Sequence, residues 1–271
     1  ANTEDEFFVD LPFYFYNNPE LAIPLCSITK QEVEVEIKIR NHDHLIIKGS
    51  TGQLQPVTPG TIHIKDFRLC TEVVFLDPTE RVKFMKEKKD YIITQVQQNV
   101  FDIPQGNQEG RFNLDFVNPV KELYFVIQRQ GDVGTGEGQF MTPFDYDNTL
   151  ADTGGKYILY ENLDYLTLDL DGQPIITRDT GNVIFLKGVQ AAIHHSKTQL
   201  IRRFYSYSFA LEPEKWYPTG QVNFSLVKEQ IVNLSLTPCV DYARQFRVYA
   251  LSHNILRISE GTARTIFDVK Y

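Results

Sequence analysis

The side chains that could perform chemistry in this sequence include two histidine pairs. His42 and His44 are separated by one residue, which places two imidazoles on one face of a strand, as in metal-binding jelly rolls. Residues 45–49 include no acid that could complete such a ligand set, and the surrounding residues are typical of a loop after a strand. His194 and His195 are adjacent, so in a strand their rings would point to opposite faces. We therefore expect no metal site at either pair, and a surface or subunit contact at the second.

Other patterns that could indicate catalysis are also incomplete. The glycine-rich run at residues 134–138 lacks the GK[ST] ending of a phosphate-binding loop and does not connect a strand to a helix. Asp145 and Asp147 lie in the same glycine-rich stretch without a sign of burial. No nucleophile elbow of the G-x-S-x-G type occurs. We predict that the chain is not an enzyme and carries no catalytic, cofactor-binding or metal-binding residues.

The isolated histidines and the cysteines favour structural roles. His63 and His253 stand alone, and we interpret them as packing or surface residues. Cys26, Cys70 and Cys239 are odd in number, widely spaced and without a CxxC pair. We predict buried free thiols in a protein from a reducing compartment.

The composition limits the class of protein. The formal net charge of -8 disfavours nucleic-acid binding through the overall field, because binding to phosphates needs clustered Lys and Arg. A chain of 271 residues can form one large β domain or two smaller ones. No apolar run reaches the ~18 residues that a membrane span needs, and no signal peptide opens the sequence. Because strand-like residues follow Ala1 at once, we expect a processed or excised product.

Alternating apolar and charged residues predict a largely β structure. In residues 31–40, valines and isoleucines alternate with glutamates and a lysine, which is typical of a half-buried antiparallel strand. Further strands are predicted at residues 61–76, 112–116, 123–128, 163–170, 183–186, 204–211, 222–227 and 246–250. Turn signals separate them at residues 171–172, 180–181, 218–220 and 260–261, a spacing typical of β-sandwiches.

Two segments depart from the strand pattern. Residues 77–98 predict one long helix, since Asp77 can cap it, Pro78 suits its first position and Glu80 completes a capping box. Its lysines are interpreted as a solvated face. Residues 130–155 form a glycine-rich irregular stretch, for which we predict an exposed or partner-facing loop. We place a domain boundary near residue 100, after the helix.

Five blocks of the chain carry a family resemblance: LPFYFYNNPELAIPLCSITKQEVEVEIKI (residues 11–39), FLDPTERVKF (75–84) with KDYIITQVQ (89–97), NPVKELYFVIQ (118–128), YSFALEPEKWYPTGQVNFS (207–225) with the upstream pair His194 and His195, and RVYALSHNILRISEGTA (247–263). They resemble the major capsid proteins of nucleocytoplasmic large DNA viruses, the group that includes iridoviruses, phycodnaviruses and African swine fever virus. They follow one another in the family's order and together span nearly the whole chain.

The resemblance implies an all-β double jelly roll whose first jelly roll is incomplete, with one long connecting helix. Residues 1–99 would hold the C-terminal part of the first jelly roll and the linking helix, and residues 100–271 the second jelly roll. The sequence departs from the family pattern at Phe125, where many relatives carry Trp, and at Leu226, where many carry Arg. Family members are also far longer, so the early strands of the first jelly roll are absent here.

The resemblance also implies a function. Three copies would form a pseudo-hexagonal capsomer of an icosahedral shell, in contact with neighbouring capsomers and with minor capsid or cement proteins. No direct contact with nucleic acid and no cofactor are expected, and whether a membrane lies beneath the shell stays open. The expected location is the virion capsid, assembled in the host cytoplasm. Loop 130–155 would contribute to an exposed tower or to contacts between capsomers.

The residues expected to matter are therefore structural. Turns and strand ends are assigned to Pro12, Pro19, Pro24, Pro119, Pro218, Gly220 and Gly261. The aromatic residues at 13–16 and 205–209 are expected to fill the sandwich or the trimer seam.

Two other functions compete with a shell subunit. One is a carbohydrate-binding jelly-roll module, in which Trp216, Tyr217 and Tyr205 would be exposed on a sheet face. The other is a metal-dependent jelly-roll enzyme, which stoichiometric zinc, iron or manganese in the purified protein would identify.

Overall fold

The computed structural model describes residues 6–16, 18–38, 64–129, 148–151, 157–197, 203–237 and 243–267. Its strands are β1 (Lys89–Ile103), β2 (Glu109–Asn113), β3 (Pro119–Arg129), β4 (Asn148–Ala151), β5 (Tyr157–Tyr160), β6 (Leu163–Leu170), β7 (Gln173–Ile176), β8 (Phe204–Ser208), β9 (Val222–Asn223), β10 (Gln230–Leu236), β11 (Arg244–Ser259) and β12 (Thr262–Thr265). The α-helices are α1 (Pro78–Lys86) and α2 (Gln190–His194). A π-helical turn, Ile184–Val189, leads directly into α2. Short 3-10 turns occupy Pro19–Leu21, Leu25–Ser27 and Phe224–Leu226.

Ten of these strands form a sandwich of two antiparallel sheets. Sheet A has the order β1-β11-β3-β8, with β12 beside β11 and β9 beside β3. Sheet B has the order β2-β10-β6-β7. Consecutive strands thus alternate between the sheets at the start and end of the sandwich, which is the connectivity of a jelly roll. The predicted all-β jelly-roll fold is confirmed, and β4 and β5 form a separate two-stranded sheet.

The core lies between the two sheets. Alternate residues of β3 and β11 point inward, and Leu123, Phe125, Phe246 and Val248 are fully buried there. Sheet B contributes the inward residues of β6 and β10. Since one face of each strand is buried, a register slip of one residue would expose this apolar set, so the pattern fixes the strand pairing.

The predicted turns at residues 171–172 and 260–261 are confirmed. Asp171 and Gly172 both have positive φ between β6 and β7, as do Glu260 and Gly261 between β11 and β12. Two such residues form the tight hairpin turn that suits the twist of paired strands. The turn at Gly261 also contacts the N-terminal segment, because a side chain there would lie 2.5 Å from Thr29 Oγ1.

The long helix predicted for residues 77–98 is wrong in its extent. Asp77 does cap the helix, with its carboxylate accepting the Thr79 amide at 2.7 Å, and Pro78 begins it. The helix ends at Lys86, and residues from Lys89 onward form β1, which pairs with β11 along all of its 15 residues. This stretch contains tyrosine, isoleucine, threonine and valine, which pack well on a pleated surface. Pairing with the long strand β11 makes it a strand instead of a helix.

Other strand predictions differ from the structure. Residues 31–38 and 64–77 have no regular secondary structure, and most of their side chains are exposed. An alternating segment becomes a strand only when a neighbour supplies cross-strand contacts, and none does so among the described residues. Residues 183–186 are helical because this apolar run bridges the two sheets and inserts Leu186 into the core. The predicted strand 222–227 is a strand only at β9 and then a 3-10 turn.

Within the described ranges, no helix is both long enough and apolar enough to cross a lipid bilayer.

Candidate functional site

The outer face of sheet A carries a network of hydrogen-bonded polar side chains near its β8 edge. We use the name helical strap for residues 184–195, which comprise the π-helical turn, α2 and His195. The strap leaves β7 of sheet B, passes the edge strand β8 and ends over the outer face of β3. An uncovered edge strand is a template for unwanted pairing, so this covering protects one edge of sheet A.

Polar contacts fix the strap at its start and its middle. Lys187 Nζ donates to Glu161 Oε1 at 2.7 Å, and Tyr205 donates from its hydroxyl to the other oxygen of Glu161 at 2.8 Å. Gln190, which is 7% exposed, accepts the backbone amide of Ser208 at 3.1 Å. This amide belongs to the edge strand β8, so the Gln190 side chain satisfies a donor at the sheet edge.

A cluster of four ionisable side chains fastens the end of the strap. His195 Nε2 lies 2.6 Å from Glu122 Oε1, and His195 Nδ1 lies 3.4 Å from Glu214 Oε1. Tyr124 donates from its hydroxyl to Glu122 Oε2 at 2.9 Å. Glu214 also accepts the Ser196 amide at 3.0 Å. We call Glu122, Tyr124, His195 and Glu214 the His195 cluster; it joins strand β3, the strap and the loop after β8.

The His195 cluster favours a protonated imidazole. Glu122 is only 2% exposed, so its carboxylate needs partners in place of water. The hydrogen bond that His195 donates to Glu122 raises the pKa of His195, and contact with Glu214 acts in the same direction. Burial and the neighbouring Glu122 raise the pKa of Tyr124, which therefore stays a neutral donor. The cluster can bind a proton, and its contacts fix the position of the strap on the sheet. Its side chains are suited to this structural role and not to bond-making chemistry.

We expect the stability contributed by His195 to depend on pH. Its folded pKa is raised above the ordinary value of 6.5, so the contribution is full below that value and is lost as pH rises through the folded pKa. The excess free energy of unfolding of wild type over His195→Gln should shrink between pH 6 and pH 9 in chemical denaturation. His194→Gln is the matched control, since His194 Nδ1 contacts the Leu211 carbonyl oxygen at 3.1 Å rather than a carboxylate. A difference that is constant with pH would contradict the account.

The N-terminal segment contacts the sandwich at the β11–β12 turn. The amides of Thr29 and Lys30 both donate to the Gly261 carbonyl, at 3.0 Å and 2.9 Å. Ser27 donates from its hydroxyl to the Phe84 carbonyl of α1 at 2.7 Å. These contacts fasten residues 27–30, whereas several apolar side chains farther along the chain on either side are exposed, including Phe7, Phe8 and Phe75. Exposed apolar surface of this kind is typical of regions that pack against further polypeptide, within the same chain or outside it.

The structure brings one predicted histidine pair into this site. His195 belongs to the His195 cluster, whereas His194 contacts the Leu211 carbonyl. His253 is 5% exposed and lies on β11, and burial together with Lys121 lowers its pKa to about 4, so it is a neutral packing residue. His42, His44, His63, Asp145, Asp147 and the run 134–138 lie outside the described residues. So does most of loop 130–155, apart from β4.

The predictions for cysteines and aromatic residues are only partly correct. Cys70 is exposed and Cys26 partly exposed, so the prediction of buried thiols is wrong for both, while Cys239 lies outside the described residues. Tyr205 is fully buried, which removes it from any exposed aromatic platform. Trp216 and Tyr217 are partly exposed and form an edge-to-face pair.

Sequence reasoning missed Glu122, Tyr124 and Glu214 as functional residues. Glu122 could have been found, because an acid within the apolar run of β3 indicates that the outer face of the sheet is covered there and that the carboxylate has a partner. Glu214 lies in a loop, and no sequence signal connects it to His195. Among the described residues, no group of three or more His, Cys, Asp or Glu side chains could hold a metal ion.

Two family models together match nearly the whole chain. Residues 80–264 match a family model described as large eukaryotic DNA virus major capsid protein, and residues 1–77 match a model of the major capsid protein N-terminus. The chain is 27% identical over 262 residues to the major capsid protein of Pyramimonas orientalis virus, covering 94% of this chain and 59% of the relative. It is 25% identical over 344 residues to the major capsid protein of Phaeocystis pouchetii virus, covering 96% and 65%. The chain thus spans less than two thirds of the length of these relatives.

Solved capsid structures share the fold. A quasi-atomic model of the PBCV-1 virus capsid matches with a TM-score of 0.57 and 21% identity, over 72% of this chain and 55% of the other. The Faustovirus major capsid protein matches with a TM-score of 0.57 and 14% identity, over 68% of this chain and 36% of the other.

Proposed function

This chain belongs to the major capsid protein family of large eukaryotic DNA viruses, and from that premise we propose that it is a subunit of the protein shell of such a virus. The observation that carries the proposal is the two-sheet jelly roll that begins at β1 and ends at β12, which coincides with the matched family region. Its close-packed core makes a rigid body, and rigid bodies can tile a lattice through repeated contacts. The protein would act by contact and not by catalysis.

The finer proposal concerns the assembly. Three copies, each with two jelly rolls, would form a pseudo-hexagonal capsomer, and capsomers would pack into an icosahedral shell. Minor capsid or cement proteins would bind between capsomers, and assembly would take place in the host cytoplasm. The exposed apolar side chains of the N-terminal segment support a protein contact there, because they are too many to leave in water.

Negative-stain microscopy of the concentrated full-length protein tests the shell function. We expect hexagonally packed arrays of capsomers, because a lattice protein carries its contacts on its own surface. Dispersed particles without order, over a range of salt and protein concentrations, would count against the proposal.

We propose that the second jelly roll begins at Glu87 rather than near residue 100. Residues 89–99 of β1 pair with β11, so a boundary at 100 would divide a paired strand. The segment before Glu87 would then complete a first jelly roll with strands from chain that precedes this sequence. Residues 31–38 alternate apolar and charged side chains and are exposed, which supports pairing with a strand outside this sequence.

Truncation separates these two boundaries. A chain that begins at Glu87 should unfold cooperatively, with a loss of only about 1–3 kcal/mol from the few hydrogen bonds that residues 29–31 and 84 make to the sandwich. A chain that begins at Phe101 should fail to fold, since most of β1 is removed. Thermal unfolding followed by circular dichroism would distinguish them, and equal behaviour of the two truncations would refute the boundary at Glu87.

A further inference from the structure

The outward side of the helical strap is apolar. Ile184 is 79% exposed, Ile193 is 66% exposed, and Val189 lies between them with 38% exposed. A π-helical turn brings residues five apart to one side, and an α-helix does so for residues four apart, so these three side chains lie along one ridge. Ala192 is exposed beside them. Surface helices normally carry polar residues on the side away from the core, and this one does not.

A neighbouring loop extends the ridge. The carbonyl of Leu211 lies 3.1 Å from His194 Nδ1, at the end of the strap, and the Leu211 side chain is 76% exposed. We use the name apolar ridge for Ile184, Val189, Ile193 and Leu211. The lysine within the strap, Lys187, is directed to Glu161 and does not interrupt the ridge.

The ridge is held in a fixed position before any partner arrives. Lys187 fixes the start of the strap, Gln190 its middle and His195 its end, each through a contact of 3.1 Å or less. A surface ordered in advance loses little conformational entropy on binding. These part-buried polar contacts therefore indicate that the ridge is a preformed contact surface and not a set of side chains exposed by chance.

Charge and area indicate the occupant. The charged residues next to the ridge are mixed in sign, with Lys197 and Lys215 beside Glu212 and Glu214, so neither an anionic lipid surface nor nucleic acid is attracted. The four exposed aliphatic side chains amount to an area on the order of 400 Å², within the range of functional patches. A stable pairwise interface needs about 800 Å² from each partner. The ridge alone is thus too small for a permanent seam and suits a weak contact that a lattice repeats many times.

We propose that the apolar ridge contacts a second copy of this chain in a neighbouring capsomer and is used only when capsomers pack into the shell. This inference rests on the proposed shell function and names one surface through which it operates. The ridge is buried in the array and exposed on the isolated capsomer.

The test compares array formation by full-length protein variants. The double variant Ile184→Glu with Ile193→Glu should keep the capsomer mass and thermal midpoint of wild type but need at least a tenfold higher protein concentration to form arrays. Leu226→Glu is the matched control, because Leu226 is as exposed as Leu211 but follows β9, in a different loop. It should form arrays as wild type does. Arrays from the double variant at the wild-type concentration would overturn the inference, as would loss of its capsomers, which would place the ridge in the seam.

A photo-crosslinking amino acid at position 193 identifies the occupant directly. Crosslinks between two chains that form in arrays and not in isolated capsomers support the inference. Crosslinks within one chain would assign the ridge to the same chain's first jelly roll and overturn it. If wild type itself forms no arrays, the result contradicts the proposed shell function. If wild type and the ridge variant both form arrays normally, the result contradicts only the role of the ridge.

Discussion

Replacing Phe246 with alanine is expected to lower the free energy of unfolding by about 3–5 kcal/mol, the usual cost of removing a buried phenylalanine. Phe246 is fully buried on the inward face of β11, at the centre of an aromatic group. Its ring lies 5.6 Å from that of Phe112, 6.2 Å from Phe101 and 6.3 Å from Phe125, measured between centroids. These rings come from strands of both sheets, so the cavity would weaken the contact between the two layers of the sandwich.

The measurement for Phe246 is urea denaturation followed by tryptophan fluorescence and circular dichroism. Phe75→Ala is the matched control, since Phe75 is 92% exposed and its truncation should change stability by less than about 0.5 kcal/mol. A loss below about 1 kcal/mol at Phe246, or equal losses at both positions, would mean that the sandwich core does not lie where the structure places it.

Gly181→Ala should destabilise the jelly roll by about 3 kcal/mol, the upper end of the usual cost of overpacking, because this change forces a backbone shift in a packed interior. A methyl group at Gly181 would lie 1.7 Å from the Leu166 carbonyl oxygen, and backbone cannot rotate away as a side chain can. The Gly181 carbonyl also accepts the Leu166 amide at 3.0 Å, which holds the two segments together. Separation of these segments would displace the start of the helical strap.

The control for Gly181 is Gly188→Ala. A methyl group at Gly188 would meet no other atom within 4 Å, and Gly188 is helical, so alanine there should stabilise by about 0.5–1 kcal/mol. Thermal midpoints of the two variants should therefore move in opposite directions. A Gly181→Ala variant with unchanged stability would show that β6 and the turn after β7 are not in close contact.

The sandwich strands could be predicted from sequence because their patterns are locally complete. β6 and the part of β11 at residues 246–250 alternate apolar and polar residues, and the turns at Gly172 and Gly261 separate strands at hairpin spacing. In these segments, local propensity and tertiary pairing agree. The order in which the strands connect could be predicted only from the resemblance to capsid proteins, because alternating residues do not indicate which strands pair.

The remaining errors have a common physical origin, since each depends on a distant partner. Lys89–Ile103 continues a helix-like pattern after a correctly placed cap, and only the 15-residue pairing with β11 makes it a strand. Residues 31–38 have the periodicity of a strand, but no neighbouring strand among the described residues pairs with them. The His195 cluster joins residues 73 positions apart in sequence, so the spacing of His194 and His195 could indicate a contact but not its partner Glu122.

The central claim, that this chain acts by binding copies of itself, is tested most directly by the mass of the full-length protein in solution. Native mass spectrometry or sedimentation velocity near neutral pH should give three times the mass of one chain, unchanged on dilution to low micromolar concentration. A particle with the mass of a single chain under those conditions would contradict the account.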